Sequence, residues 1–154
     1  MGKNKSLDLF LEEARRRGDR IVFTNGCFDL LHAGHVFCLE EARGFGDVLI
    51  VGLNSDDSVR RLKGAGRPIF SRKEREKVLS ALACVDFVVP FDEETPVNLI
   101  REIRPHVHVK GGDYSPEDLP ETPLVRELGG EVRIVRYLPG WSTTEVIQRI
   151  KESL

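Results

Sequence analysis

Two histidines, His32 and His35, lie three positions apart in the segment GCFDLLHAGH. They follow a short apolar run, residues 21–23, at a point where a helix is predicted to begin. A helix N-terminus favours phosphate because it combines unpaired N–H groups with the positive end of the helix dipole. Two imidazoles there can donate hydrogen bonds to oxygens on a phosphorus under attack. Because glycine has no Cβ, we expect Gly34 to let a ligand approach the backbone closely.

Other interpretations of this pair of histidines stay open from the residues alone. An isolated histidine in a turn is commonly just solvated. A pair spaced i, i+3 can also bind a metal, but no acidic or cysteine partner stands at a convincing spacing, so metal ligands are unknown. The segment is neither the G-x-G-x-x-G of a dinucleotide fold nor a Walker A loop.

Composition excludes several classes of protein. Among 154 residues, 40% are hydrophobic and 31% are charged, with a formal net charge of -2. These values are ordinary for a globular protein, and they lack the global basic field of a nucleic-acid binder. No run approaches the 18 or so apolar residues of a membrane span, and the N-terminus lacks a signal core. We therefore expect a cytoplasmic protein that binds neither nucleic acid nor membrane. The three cysteines, an odd number without a C-x-x-C pair, predict neither disulfides nor structural zinc.

A local excess of positive charge lies within residues 60–77. Only Glu74 and Glu76 oppose the basic residues there, so this stretch is predicted to attract anions although the whole chain is slightly acidic. Most of these side chains are expected to be solvated helix charges. The basic residues are Arg60, Arg61, Lys63, Arg67, Arg72, Lys73, Arg75 and Lys77.

The elements that must position these groups alternate between strand and helix along the chain. This order predicts a single Rossmann-like α/β domain over residues 1–154, with a doubly wound, parallel, five-stranded sheet and helices on both faces. Such sheets bind ligands at the carboxyl ends of their strands, where the strand order reverses. The predicted strands are residues 21–23, 48–53, 85–90, 106–109 and 132–135. The predicted helices are residues 6–17, 34–46, 56–63, about a dozen residues after Ser71, a segment ending before Pro105, a short helix near 124–128 closed by Gly129 and Gly130, and 143 to the end.

Helix caps are predicted at three places. Ser71 and Glu74 form a capping-box pattern, and Thr95 followed by Pro96 is typical of an N-cap with proline at the first helical position. Ser142 with Glu145 predicts a further capping box. The helix that follows is predicted to bury a stripe made of Val146, Ile147, Ile150 and Leu154.

The segment GCFDLLHAGH resembles the signature of the HxGH nucleotidyltransferases, the cytidylyltransferase-like superfamily. The resemblance extends over about residues 20–150. Within the superfamily, GCFDLLHAGHVFCLEEAR, VGLNSDDSVRRLKG, VKGGDY and PGWSTT are most similar to the heptose 1-phosphate adenylyltransferases, in the form that stands alone rather than fused to a sugar kinase.

The resemblance implies that an acceptor phosphate attacks the α-phosphorus of ATP and that pyrophosphate leaves. It implies a sugar phosphate as acceptor, Mg²⁺ bridging the phosphates, and a homodimer. It assigns catalytic roles to His32, His35 and Lys63. The nucleotide-binding residues that it implies are Gly26, Cys27, Phe28, Asp29, Gly34, Arg75, Lys110, Gly112, Asp113, Ser142, Thr143 and Thr144. Trp141 is expected either to shape the acceptor pocket or to cover the core.

Alternative functions remain at this point. A glycerol 3-phosphate cytidylyltransferase or an FAD synthetase, which is an adenylyltransferase acting on FMN, would share the HxGH motif. Nucleotide preference separates the cytidylyltransferase from an adenylyltransferase that acts on heptose. A non-catalytic nucleotide sensor on the same fold is a different class of function, which a turnover assay distinguishes. RNA binding by the basic stretch is disfavoured because only Phe70 interleaves with its charges.

Overall fold

The computed structural model describes residues 5–154, with side chains from residue 6 onward. Over residues 5–154, the structure has five strands and seven α-helices in the order that the sequence pattern predicted, and a 3₁₀ turn at Pro116–Asp118. The strands are β1 (Ile21–Gly26), β2 (Val48–Asn54), β3 (Phe87–Phe91), β4 (Val107–Gly111) and β5 (Glu131–Val135). The helices are α1 (Lys5–Arg17), α2 (Ala33–Arg43), α3 (Asp56–Lys63), α4 (Arg72–Ser80), α5 (Val97–Ile103), α6 (Thr122–Glu127) and α7 (Thr143–Glu152).

All strands are parallel, in the order β3-β2-β1-β4-β5. The chain builds outward from β1 to β3 on one side and then returns to place β4 on the other side of β1. The strand order therefore reverses between β1 and β4, and the loops after these two strands flank the crevice where such sheets bind ligands. The predicted doubly wound α/β fold is confirmed.

The sheet is covered on both faces, as parallel sheets require. Successive side chains of a strand point to opposite faces, so Phe23 packs in one core beneath α1, α5 and α6, while Val22 packs in the other beneath α2 and α4. All seven residues of β2 are buried, which explains the apolar run of residues 48–53. Among the described residues, no helix is long and apolar enough to cross a membrane.

Several predicted helix boundaries are wrong, and α2 ends at Arg43 instead of at residue 46. Pro96 itself occupies the N-cap position of α5, without a side-chain hydrogen bond, so Thr95 is not the cap. The Ser71–Glu74 capping box does form at α4, but that helix has nine residues instead of about a dozen. It ends at Ser80 because the chain must turn through residues 81–86 to enter β3, where the Asp86 N–H donates to the Leu49 carbonyl.

The prediction for the last helix is also wrong. No residue of α7 is buried, Ile150 is 47% exposed, and Leu154 lies beyond the helix end, almost fully exposed. The apolar stripe exists in the sequence, but only Val146 and Ile147 are partly covered. Helix α7 thus lies at the periphery and contacts the rest of the molecule mainly through its N-terminal end.

Candidate phosphate-binding site

The loop between β1 and α2 has a backbone that few residue types adopt. Phe28 and Leu30 have φ values of 49° and 54°, in the left-handed region, although neither is glycine. Such conformations cost about 1–3 kcal/mol each and persist where the surroundings hold them in place. A Cβ at Gly26 would lie 3.0 Å from the Phe28 ring, so this glycine makes room for the turn.

His32 and His35 cap α2 reciprocally. The Gly34 N–H donates to Nδ1 of His32 at 3.0 Å, and the His32 N–H donates to Nδ1 of His35 at 3.2 Å. Each Nδ1 is therefore an acceptor, which in a neutral imidazole assigns the proton to Nε2. The two rings lie 4.0 Å apart between centroids. The fold thus presents two adjacent Nε2–H donors at a helix N-terminus.

Both histidines are held in the neutral form near pH 7. The pKa of His35 is lowered to about 4, mainly because the ring is buried and also because His32 is close by, while the charge of Asp29 opposes the shift. Burial also lowers the pKa of His32. Since both pKa values lie below the ordinary value of 6.5, the rings act as neutral hydrogen-bond donors and do not depend on protonation at pH 7.

The start of α7 meets the start of α2. The Thr143 hydroxyl lies 3.2 Å from His32 Nε2, and Ser142 Oγ accepts from the Glu145 N–H at 3.2 Å, which is one half of the predicted capping box. The structure corrects our explanation for Gly34. A Cβ there would lie 2.6 Å from the Trp141 main-chain oxygen and 2.8 Å from the His32 ring, so the space is filled by protein and is not open to a ligand.

Asp29 fastens the loop to the segment before α4. Its buried carboxylate accepts from Arg67 Nε at 2.8 Å, the Ile69 N–H at 2.7 Å and the Phe70 N–H at 3.0 Å. Burial raises the pKa of this carboxyl, but the three hydrogen bonds outweigh burial, and the net pKa lies below its ordinary value. Asp29 therefore organises the loop from within the protein.

The basic stretch divides into paired and unpaired charges. Its five arginines each form an ion pair with a carboxylate, whereas none of its three lysines pairs with a described residue. Lys63, exposed at the end of α3, is close enough to the Cys27 thiol for its charge to influence the pKa of that thiol. Burial raises the pKa of that thiol, and the positive charge of Lys63 opposes the rise. Lys63 is thus an unpaired cation near the histidine loop.

The placement of Arg75 differs from our expectation. Its side chain is only 1% exposed, and its guanidinium donates to the main-chain oxygens of Cys27, Asn54 and Phe70 and to the Asp56 carboxylate. A group so occupied by protein acceptors is not presented to a phosphate. The predicted phosphate contact by Arg75 has no support in this geometry.

The loop after β4 forms the opposite wall of the crevice. Lys110 lies in the last part of β4 and is half-buried, and the Gly112 N–H donates to the Val135 carbonyl at 2.9 Å, which joins this loop to the end of β5. Gly112 has a φ of 133°, where a side chain would be strained. Asp113 and Thr144 are exposed. Trp141 packs edge-on against Phe37 of α2, with ring centroids 6.3 Å apart, and stays 41% exposed.

Sequence reasoning missed Asn25, at the carboxyl end of β1. Its Oδ1 is buried without a hydrogen-bond partner among the described residues. An unpaired buried acceptor costs about 1–3 kcal/mol, a cost that a hydrogen-bond donor on a bound ligand would relieve. The signal was present, since Asn25 directly precedes Gly26, but the predicted strand ended too early to place it at the sheet edge.

An apolar groove lies beside the histidine loop, on the α4 side. It encloses about 630 Å³ and is lined by Phe28, Leu31, Phe70, Val78 and the stems of charged residues on α4. Phe28 connects it to the site, because its ring lies 5.6 Å from that of His35. Phe70 and Val78 are 42% and 48% exposed.

Comparison with known proteins gives concordant matches. A family model described as cytidylyltransferase-like matches residues 23–149. The bifunctional protein HldE of Pelobacter propionicus is 53% identical over 151 residues, which cover 97% of this chain and 31% of that protein. The protein of the same name from Syntrophotalea carbinolica is 55% identical over 146 residues, covering 95% and 30%. The chain thus spans about a third of the length of these relatives.

A solved structure also matches. The crystal structure of the lipopolysaccharide core biosynthesis protein from Thermoplasma volcanium superposes with a TM-score of 0.63 at 31% identity, covering 79% of this chain and 98% of that chain. The matched family region contains residues 23–26 of β1, the histidine loop and residues 143–149 of α7.

Proposed function

Because the chain belongs to the cytidylyltransferase-like family and is a nucleotidyltransferase, we propose that it transfers AMP from ATP to D-glycero-β-D-manno-heptose 1-phosphate, giving ADP-heptose and pyrophosphate. The matches to HldE and to a lipopolysaccharide core biosynthesis protein support this choice. The motifs VKGGDY and PGWSTT support it as well.

The observation that carries the proposal is the pair of Nε2–H donors of His32 and His35 at the start of α2. An acceptor phosphate is already an anion near neutral pH, so the reaction needs no general base. It needs in-line positioning and stabilisation of the charge that develops on the phosphoryl oxygens. Neutral imidazoles whose orientation is fixed by the helix cap suit this role, because their donors are in place before the reaction starts.

The remaining site residues divide by position. Lys63 provides an unpaired positive charge for the phosphates from the α3 side. Ser142, Thr143 and Thr144 offer hydroxyl and N–H groups at the start of α7. Lys110, Gly112 and Asp113 line the β4 side, where we propose that the nucleoside binds. The residues that build the histidine loop itself are Gly26, Cys27, Phe28, Asp29 and Gly34.

We propose that Mg²⁺ accompanies ATP. The described residues hold no group of three or more His, Cys, Asp or Glu side chains that could cage a metal. Mg²⁺ commonly keeps several waters and binds through substrate phosphates with one or two carboxylates at most, so this donor set fits a metal that enters with the nucleotide. When bound, Mg²⁺ would supply charge neutralisation at the phosphates.

A homodimer remains part of the proposal. The exposed rings and methyl groups of Phe70 and Val78, along the apolar groove, are surface that a second copy could cover. Sedimentation velocity measures the assembly state, and a monomer at all concentrations would contradict this part. Cytoplasmic location stays a prediction.

The test of function is pyrophosphate release by the purified protein with Mg²⁺. ATP and CTP are each paired with heptose 1-phosphate, glycerol 3-phosphate and FMN, and His35→Ala serves as the matched control for contaminating enzymes. We expect release with ATP and heptose 1-phosphate alone. Release with CTP and glycerol 3-phosphate, or with ATP and FMN, would keep the reaction class and replace the acceptor. No release with any pair would contradict the proposal and favour a nucleotide sensor.

A further inference from the structure

Arg75 makes an unusual set of contacts for a residue on a surface helix. Its Nη1 donates to the Cys27 carbonyl at 2.7 Å and to the Asn54 carbonyl at 2.9 Å. Its Nε donates to the Phe70 carbonyl at 3.1 Å, and its Nη2 donates to Asp56 Oδ1 at 2.7 Å. One buried side chain therefore joins the start of the histidine loop, the junction between β2 and α3, and the residue two positions before its own helix.

Each of these segments is continuous with, or bonded to, a residue of the proposed phosphate site. Cys27 starts the loop that ends at His32, and Asp56 starts α3, which ends at Lys63. The Phe70 N–H donates to Asp29, so its carbonyl and its N–H link Arg75 and Asp29 through a single residue. Arg75 thus sets the distance between the histidine loop and the helix that carries Lys63.

The conformation of the loop makes this support necessary. Arg75 holds the carbonyl of Cys27, immediately before Phe28 with its positive φ of 49°. Strained backbone persists only when neighbouring structure fixes it. A guanidinium offers five donors in a planar fork, whereas an ammonium is a compact charge with three, so lysine cannot reach the same four acceptors.

We propose that Arg75 is a positioning residue of the phosphate site, which holds the histidine loop and the start of α3 in register and does not itself bind phosphate. The inference rests on the proposed function. It replaces the phosphate contact that the family resemblance implied for this residue.

Arg75→Lys tests the inference, with Arg72→Lys as the control on the same helix. Arg72 pairs with Glu76 one turn along α4, and it bonds to no other segment of residues 5–154. We expect Arg75→Lys to lower kcat on the order of 10²-fold, the cost of misplacing reacting groups by about 1 Å. We expect the Kd for ATP, measured by calorimetry, to change less than about threefold, because no phosphate ligand is lost. Arg72→Lys should match the wild type in both.

A second readout does not depend on turnover. NMR titration of the histidine rings follows His35, whose pKa is about 4 in the intact loop because the ring is buried. We expect Arg75→Lys to move this pKa towards the ordinary value of 6.5, since a displaced loop exposes the ring, and Arg72→Lys to leave it unchanged. A role confined to overall stability would lower the unfolding temperature without moving the titration of the folded protein.

Three results would overturn the inference. The first is an Arg75→Lys variant with wild-type kcat and wild-type His35 titration. The second is a loss of ATP affinity above about tenfold with an unchanged His35 titration, which would mark Arg75 as a phosphate ligand. If Arg75→Lys does not fold, Asp56→Ala decides instead, because this carboxylate is 40% exposed and its removal is milder. Wild-type kcat and titration in Asp56→Ala would be the third. If the wild type itself releases no pyrophosphate, the proposed function fails. The positioning role is then tested by the NMR titration of His35 alone.

Discussion

Adding a methyl group at Gly34 probes the contact between α2 and the segment before α7. In Gly34→Ala the new Cβ would lie 2.6 Å from the Trp141 main-chain oxygen, whereas ordinary contact begins at 3.4 Å. The two segments must therefore separate by about 0.8 Å, because a packed interior has no spare volume to absorb the atom. The same movement draws Thr143 away from His32, which now lies 3.2 Å from its hydroxyl.

The expected effect is mainly on turnover. A misplacement of about 1 Å at a reacting centre lowers rates on the order of 10²-fold, so we expect kcat of Gly34→Ala to fall by that amount. The KM for ATP should change less, because the donors that act in the transition state lose alignment while the phosphates keep most ground-state contacts. Pyrophosphate release at saturating substrates measures kcat, and thermal unfolding confirms that the variant is folded.

Gly44→Ala is the matched control at the other end of α2. Gly44 has a helical φ of -64°, and a Cβ there would meet only carbonyl oxygens of its own helix, at 3.3 and 3.7 Å. We expect wild-type kinetics from it. A wild-type kcat in Gly34→Ala would refute the reasoning. A higher KM for ATP with an unchanged kcat would instead support the earlier idea that Gly34 admits a ligand.

Four further predictions concern the same site. His35→Ala should lower kcat on the order of 10²-fold or more, with little change in thermal midpoint, because a transition-state donor is lost. The unfolded chain, with an ordinary His35 pKa of 6.5 against about 4 in the fold, binds more protons between these values. The free energy of unfolding should therefore fall as pH drops from 6.5 to 4, by up to about 3 kcal/mol, and urea titrations of wild type and His35→Ala isolate this contribution. Asp29→Asn should lose about 2 kcal/mol in the same assay at pH 7, since a buried charged acceptor of three hydrogen bonds is weakened. Removal of divalent ions by EDTA should stop pyrophosphate release, and added Mg²⁺ should restore it.

Each of these predictions has a contrary result. Near-normal turnover of His35→Ala would remove this histidine from the mechanism. An identical pH dependence in wild type and His35→Ala would show that His35 titrates normally in the fold. Unchanged stability of Asp29→Asn would mean that the segment before α4 is held by other contacts, and full activity in EDTA would exclude the proposed metal.

The sheet and the histidine loop were predictable because their signals are local. The buried apolar runs of β1 and β2, together with the glycines and caps between elements, indicate strand and helix without reference to distant residues. His32 and His35 lie within one short segment, so their spacing alone placed them at a helix N-terminus. The tautomers of the two histidines could be assigned only from the structure, because the assignment depends on the hydrogen bond that each Nδ1 accepts from a backbone N–H.

Long-range contacts account for what was missed. Nothing near Gly34 in sequence indicates that the carbonyl of Trp141 fills the space where its Cβ would be. The sequence does not distinguish Arg75 from the other basic residues of its stretch, because its acceptors at Cys27 and Asn54 come from other parts of the chain. The spacing of Val146, Ile147 and Ile150 correctly predicted a helix at α7, but periodicity does not reveal whether another element covers its apolar face.

The peripheral attachment of α7 has a thermodynamic consequence. With no buried residue, this helix exposes little additional apolar surface when it detaches, so it should open at a lower free energy than the strands of the sheet. Such local opening would carry Thr143 away from His32 and dismantle one side of the site while the sheet stays folded. A nucleotide that bonds to the start of α7 must then supply the free energy that keeps the helix docked. Its affinity would therefore include that ordering cost, and substitutions far along α7 would change nucleotide binding without touching the nucleotide.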